Sequence, residues 1–138
     1  MKKSNFLLLI LFVFIACVYS CSKDNSLSGR LIGKWKMTVV LELSLDVTSK
    51  HNPDNDRWIR LIDDPEIENG GKFESGKGDS TENTGKWFID KDVLFIDSDA
   101  GKDDDSYWQI TINDDEMRWK GRKFEFNKRF EIFHKRMD

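Results

Sequence analysis

The chain has 138 residues, of which 34% are charged and 12% aromatic, with two cysteines and a formal net charge of −3. That length is enough for one small domain and hardly for two. Acids crowd the middle, sixteen against seven bases over residues 54–105. This argues against nucleic acid as a partner, because phosphate binding needs a basic face.

At the N-terminus, Lys2 and Lys3 precede an uncharged, almost wholly apolar run over 6–18. As a helix rising about 1.5 Å per residue it would span about 20 Å, short of a hydrocarbon core of about 30 Å. A charged start, a short apolar middle and a small residue at the end read as a secretory signal over 1–20. The signal ends in Val18-Tyr19-Ser20-Cys21, which resembles a bacterial lipobox. The resemblance implies that the Cys21 thiol takes a diacylglyceryl group and that its freed amine takes a further acyl chain. Tyr19 stands where such motifs carry a small residue. Phe14-Ile15-Ala16-Cys17 is a competing site, but cleavage there would strand Cys21 as a spare thiol in an oxidising compartment. Cys21 is therefore the expected lipidation site.

The following Cys21-Ser22-Lys23-Asp24-Asn25 resembles the mature start of Bacteroidetes-type lipoproteins. It implies an outer-membrane lipoprotein facing either the periplasm or the cell surface. Residues 21–30 read as a lipidated tether and 31–138 as the folded domain. Without residues 1–20 the formal charge becomes −5 and no cysteine is left for a disulfide. The fold then rests on its apolar core.

From 33 to 47 the odd positions read Gly33, Trp35, Met37, Val39, Leu41, Leu43, Leu45, Val47, and the even ones are mostly polar. Period two predicts a strand with one buried face. At about 3.3 Å per residue it is near 50 Å long, so it must bend or be interrupted, and curvature around a barrel is expected. Turn formers at 52–56 lead to a short strand over 57–62. The charged, glycine-rich stretch 63–84 reads as a loop with at most a weak strand at 72–75. Residues 85–90 and 93–97 form a hairpin through Lys91-Asp92. An acidic loop over 98–105 precedes strands at 106–113 and 116–120, joined by Asp114-Asp115, and Gly121 punctuates. Phe124, Phe126, Phe130 and Ile132 then alternate with polar residues along a last strand, broken on its apolar face by Lys128. No stretch of the mature chain shows helical periodicity. Seven or eight hairpin-linked strands predict an all-β fold, an up-and-down antiparallel barrel of about eight strands whose long first and last strands pair to close it.

Gly33-Lys34-Trp35, the later Thr84-Gly85-Lys86-Trp87 and the charged–aromatic closing strand resemble the lipocalin-like domain of Bacteroidetes-type lipoproteins over most of 30–136. The resemblance implies that Trp35 plugs the closed end of the barrel and that a late arginine packs across its indole. Arg122, Arg129 and Arg136 are all candidates. The chain departs from longer members of the family: it lacks a helix after the barrel and the Thr-Asp-Tyr loop motif. An eight-stranded interior can be filled by side chains or can hold one small ligand. Trp35, Met37, Trp87, Trp108 and Trp119 are the candidate ligand contacts, and core filling is the alternative role for each tryptophan.

Residues for other chemistry are sparse. His51, beside a turn, and His134, at the end of a charged strand, read as surface residues, so no nucleophile–base pair and no zinc set can be argued. The oxygen-rich run 97–105 has its glycine fifth and no glutamate twelfth, unlike an EF-hand loop. No metal, no cofactor and no enzymatic activity are expected. The leading expectation is a monomeric, membrane-tethered, non-enzymatic binding module for a small apolar ligand. The alternative is a protein-binding envelope lipoprotein of inhibitor or immunity type, with a filled barrel and acidic contact loops at 63–84 and 97–105.

Overall fold

The computed structural model describes residues 26–123 and 129–138. The signal segment, Cys17, Cys21, Phe124, Phe126 and Lys128 lie outside them. The described chain is all-β, with nine strands, β1 (Gly33–Glu42), β2 (Leu45–Asp46), β3 (Arg57–Asp63), β4 (Gly70–Lys77), β5 (Ser80–Asp90), β6 (Val93–Ser98), β7 (Ser106–Asn113), β8 (Glu116–Lys123) and β9 (Arg129–Arg136). Two short helices, α1 (Leu27–Leu31) and α2 (Thr48–His51), and a 3₁₀ turn (Lys102–Asp104) complete it. Neither helix is long and apolar enough to cross a membrane.

From β3 onwards each strand pairs antiparallel with its sequence neighbour, β1 pairs with β3, and β9 returns to β1 from Trp35↔Arg136 to Glu42↔Phe130. The result is a closed up-and-down barrel of eight strands, with β2 a two-residue stub on β1. Closure leaves no long free edge for another chain to pair with.

The alternation in β1 holds at its start and then changes phase. A bulge between Met37 and Val39 adds a residue to one strand and switches its inward face. Val40 is therefore buried, while Val39 and Leu41 pair with Phe133 and Glu131 on the outer side. Leu43 and Ser44 both adopt positive φ, 51° and 68°, and turn the chain into β2. The expected fifteen-residue strand is thus interrupted rather than curved throughout, and Leu43 and Leu45 are exposed. Beyond Met37, β1 parts from β3, and side chains take over the pairing. Asn52 Nδ2 donates to Met37 O while its Oδ1 accepts from Asp56 N and Arg57 N, and Thr48 Oγ1 accepts from Val40 N.

The expected loop 63–84 is a correction: most of it forms β4 and the first half of β5, paired from Gly70↔Phe88 to Lys77↔Ser80. Glycines there serve close approach. A Cβ on Gly85 would stand 2.1 Å from Asp97 O and 2.6 Å from Phe73 Cε1, so the missing side chain makes room for the Phe73 ring. Gly121 likewise lies within β8 rather than ending it, and a Cβ there would meet Tyr107 O at 2.4 Å. Overpacking of this kind costs about 3 kcal/mol or more where backbone cannot yield. Gly85→Val is expected to lower unfolding free energy by at least that much, read from urea denaturation.

The two helices are also corrections, because the sequence shows no helical rhythm. Each has one turn or little more, too short for periodicity to register. α1 takes in residues 27–30, assigned above to the tether. Its Leu27 and Leu31 pack into the core with Trp35, Leu61, Trp87, Leu94, Ile110 and Met117. This dry cluster fills the end of the barrel where α1 lies.

Candidate functional site

The other half of the barrel is not filled. A cleft of about 210 Å³ opens among the inward side chains toward the end that carries α2 and the 3₁₀ turn. One wall is aromatic and runs across β7, β8 and β9. There Trp108 lies 5.6 Å from Trp119, and Trp119 lies 4.7 Å from His134 between ring centroids. Met37 of β1 and Ile132 of β9 extend this wall, and Ile59, Phe73 and Ile96 face it. Polar groups line the cleft as well, Ser75, Asn83 and Ser98 from β4 to β6 and Ser106 beside Trp108 on β7. Arg57 and Asp104 stand at the mouth, and Arg57 is bound to Glu82 at 2.9 Å.

Strand pleating places these groups. Ser98 keeps the phase of Leu94 and Ile96, and Ser106 that of Trp108 and Ile110, so both hydroxyls point inward from otherwise apolar faces. His134 follows Phe130 and Ile132 at the same period of two, and its cross-strand partners are Met37 and Met117. It is only 3% exposed, which corrects its expected place on the surface. Burial pushes its pKa down to about 3, so the imidazole is neutral. His51 is half-buried, with its ring edge-on to Phe130 at 5.7 Å.

Four of the five indole N–H groups are satisfied. Trp35 donates to Leu31 O, Trp58 to Gly78 O, Trp87 to Ile62 O and Trp108 to Ser106 Oγ. Trp119 Nε1 is the exception, and it shares that state with His134 Nδ1. Both atoms are shut from solvent with no hydrogen-bond partner among the described residues. An unsatisfied buried polar group costs about 1–3 kcal/mol, and two such atoms belong to residues lining this one cleft.

Of the residues expected to meet a ligand, Met37, Trp108 and Trp119 surround the cleft. Trp35 and Trp87 are fully buried and belong to the filled half. Trp58 lies on the opposite face of β3 from Ile59 and Leu61, with Lys34 Nζ 4.1 Å from its ring centroid. The arginine left open by the sequence is Arg136, whose Cζ stands 4.2 Å from the centroid of the Trp35 ring. Sequence reasoning missed His134 and the four polar residues. The available signal was phase, since Ser75, Ser98, Ser106 and His134 each continue an inward series.

Two acids of 97–105 are used locally. Asp105 accepts from Ser98 N, and Asp99 accepts from Thr84 Oγ1. Among the described residues no three His, Cys, Asp or Glu side chains converge as a metal set.

No family model and no curated protein matches the chain.

Proposed function

We propose that this chain is a membrane-tethered, lipocalin-like lipoprotein whose barrel is a non-enzymatic binding module for one small ligand with an apolar face. The observation that carries this reading is the cleft inside the barrel, beside which Trp119 Nε1 and His134 Nδ1 stand buried with no hydrogen-bond partner among the described residues. A barrel built only as a scaffold would gain by filling that space, at about 25 cal/mol per Å² of apolar surface removed from water. The cleft of about 210 Å³ equals the liquid volume of about seven waters at about 30 Å³ each. Ligand pockets commonly run from about 300 to 1,000 Å³, so the occupant is small, of the order of one substituted six-membered ring.

The binding reading needs no nucleophile. Titration of the full chain with toluene, an apolar ring, is expected to give a saturable change in indole fluorescence. Ser75→Phe, which pushes a ring into the cleft, is expected to weaken it by about tenfold or more, or about 1.4 kcal/mol. An absent response in the unaltered chain to toluene and to polar ring compounds alike would leave the acidic-loop, protein-binding reading in its place.

The tether rests on the signal-like residues 1–20 and the lipobox-like run to Cys21. Stable anchoring takes about two acyl chains, which a lipidated Cys21 would exceed. Cells expressing the chain and fed labelled palmitate are expected to label it, and Cys21→Ser is expected to abolish the label. Retention of label in that variant would move the modification to Cys17.

A further inference from the structure

We infer that the occupant of the barrel is a neutral, hydroxylated ring of monosaccharide size, held with one face on the Trp108–Trp119 wall and its hydroxyl edge on the serine and asparagine side. The inference rests on the binding-module reading above and names the class of ligand within it.

Two features of the cleft separate this class from a purely apolar ligand. The first is spare hydrogen-bonding capacity on one side. A serine hydroxyl offers one donor and two acceptor positions. Ser106 Oγ accepts from Trp108 Nε1, and Ser98 Oγ accepts from Ala100 N at 3.2 Å, so each keeps its proton to donate. Both residues are only 8% exposed, and an apolar occupant would cover those donors and leave them unpaired. The half-buried Ser75 and the exposed Asn83 add a further hydroxyl and an amide at the cleft. Such a site favours a ligand that bears matching groups over one that lacks them, because the loss falls on buried polar atoms.

The second feature is the aromatic wall. The Trp108 and Trp119 rings stand 5.6 Å apart and inclined by 39°, and both line the cleft with 5% of each residue exposed. A sugar ring presents C–H groups on its faces and hydroxyls around its edge, which matches one aromatic side and one polar side. Charge agrees with this. Arg57 at the mouth is already engaged by Glu82, and the His134 imidazole is neutral, so among the described residues no free cation lies at the bottom of the cleft to select an anion.

The test titrates the full chain with glucose, galactose, mannose and fucose, following indole fluorescence and magnetisation transfer to the sugar protons. Toluene serves as the apolar control. At least one sugar is expected to saturate at about millimolar concentration or below. Ser75→Ala combined with Asn83→Ala, at positions that do not hold the core, is expected to weaken that sugar by about tenfold while leaving toluene unchanged. Ser106→Ala is expected to weaken it too, and its thermal unfolding shows whether Trp108 has stayed in place. Saturation by toluene with no response to any sugar would overturn this inference and leave the binding module standing. An equal loss of sugar and toluene in the double variant would also overturn it. Silence from all five compounds would overturn both.

Discussion

Trp35→Ala is expected to lower unfolding free energy by about 3–5 kcal/mol, the range for deleting a buried aromatic side chain. Small domains have only about 5–15 kcal/mol in total, so the variant is expected to unfold at mild urea concentrations. Trp35 is fully buried and does three jobs at the filled end of the barrel. It occupies volume in the core around Leu31, Leu61 and Trp87. Its Nε1 donates to Leu31 O at 2.8 Å, and its ring carries the Arg136 guanidinium at 4.2 Å. Arg136 in turn donates to Ile32 O at 2.9 Å and to Arg30 O at 2.8 Å. The carbonyls at the end of α1 are thus capped by an indole and a cation, which suits the negative end of a helix dipole.

A double-mutant cycle separates these contributions. Trp35→Phe keeps most of the bulk and is expected to cost about 1 kcal/mol for the lost hydrogen bond. Arg136→Met keeps a stem over the ring but frees two carbonyls, and about 2 kcal/mol is expected. The pair together with Trp35→Leu is expected to show a coupling of about 0.5–2 kcal/mol, the range of a cation over an aromatic face. Strict additivity would mean that the guanidinium acts on α1 alone and draws nothing from the indole. The nearby Asp115 carboxylate, 3.9 Å from Arg136 Nε and mostly exposed, adds little in either case.

What the sequence made legible follows from where apolar and polar residues could alternate without interruption. β7 and β8 read directly, because Trp108, Ile110 and Ile112 pair with Gly121, Trp119 and Met117 in a register set by the short turn at Asp114-Asp115. The hairpin through Lys91-Asp92 read for the same reason, and Lys91 and Asp114 indeed take positive φ. The β4–β5 hairpin did not read. Residues 80–84 are exposed and polar on both faces, so they carry no hydrophobic rhythm. The glycines opposite Trp87 and Phe73 suggest a loop by composition, whereas in the barrel they admit large rings.

The cleft was half legible for a related reason. Met37, Trp108 and Trp119 are large apolar residues at inward positions and were found as such. His134, a polar member of the same kind of series, was assigned to the surface by chemical type, although phase placed it inside. β1 shows the opposite error: Leu43 and Leu45 continued the apolar series in sequence, but the bulge after Met37 and the turn at Leu43-Ser44 carried them out to solvent. Neither device is marked by glycine, asparagine or proline, the residues that usually announce one.

The second large effect is on pH. His134 keeps its proton off in the folded barrel down to about pH 3, because burial disfavours the charged ring. In the unfolded chain it titrates near 6.5. Its folded pKa is therefore the lower of the two, and between these values the unfolded state binds more protons. The stability due to the neutral ring is complete above about pH 6.5 and is lost as pH falls toward 3, by up to about 1.4 kcal/mol per pH unit. From pH 7 to pH 5 the urea midpoint is expected to fall by an amount equal to about 2 kcal/mol. His134→Gln, which keeps a neutral polar group at that position, is expected to remove this slope while His51 remains in both chains. Carboxylates act in a lower window. Asp46, held below its usual range by hydrogen bonds from Thr48, and Asp64, held down by the Glu66 amide and then Lys72, gain protons only in stronger acid. Their contribution is present above about pH 4 and lost beneath it. A wild-type chain with a flat midpoint between pH 6.5 and pH 4.5, or a slope that persists in His134→Gln, would show that the His134 ring accepts a proton without opening the barrel. A ligand in the cleft adds a further discriminator. An occupant that accepts a hydrogen bond from a protonated His134 would raise the folded pKa and flatten the slope, whereas one that stabilises only the neutral ring would carry the same slope to lower pH.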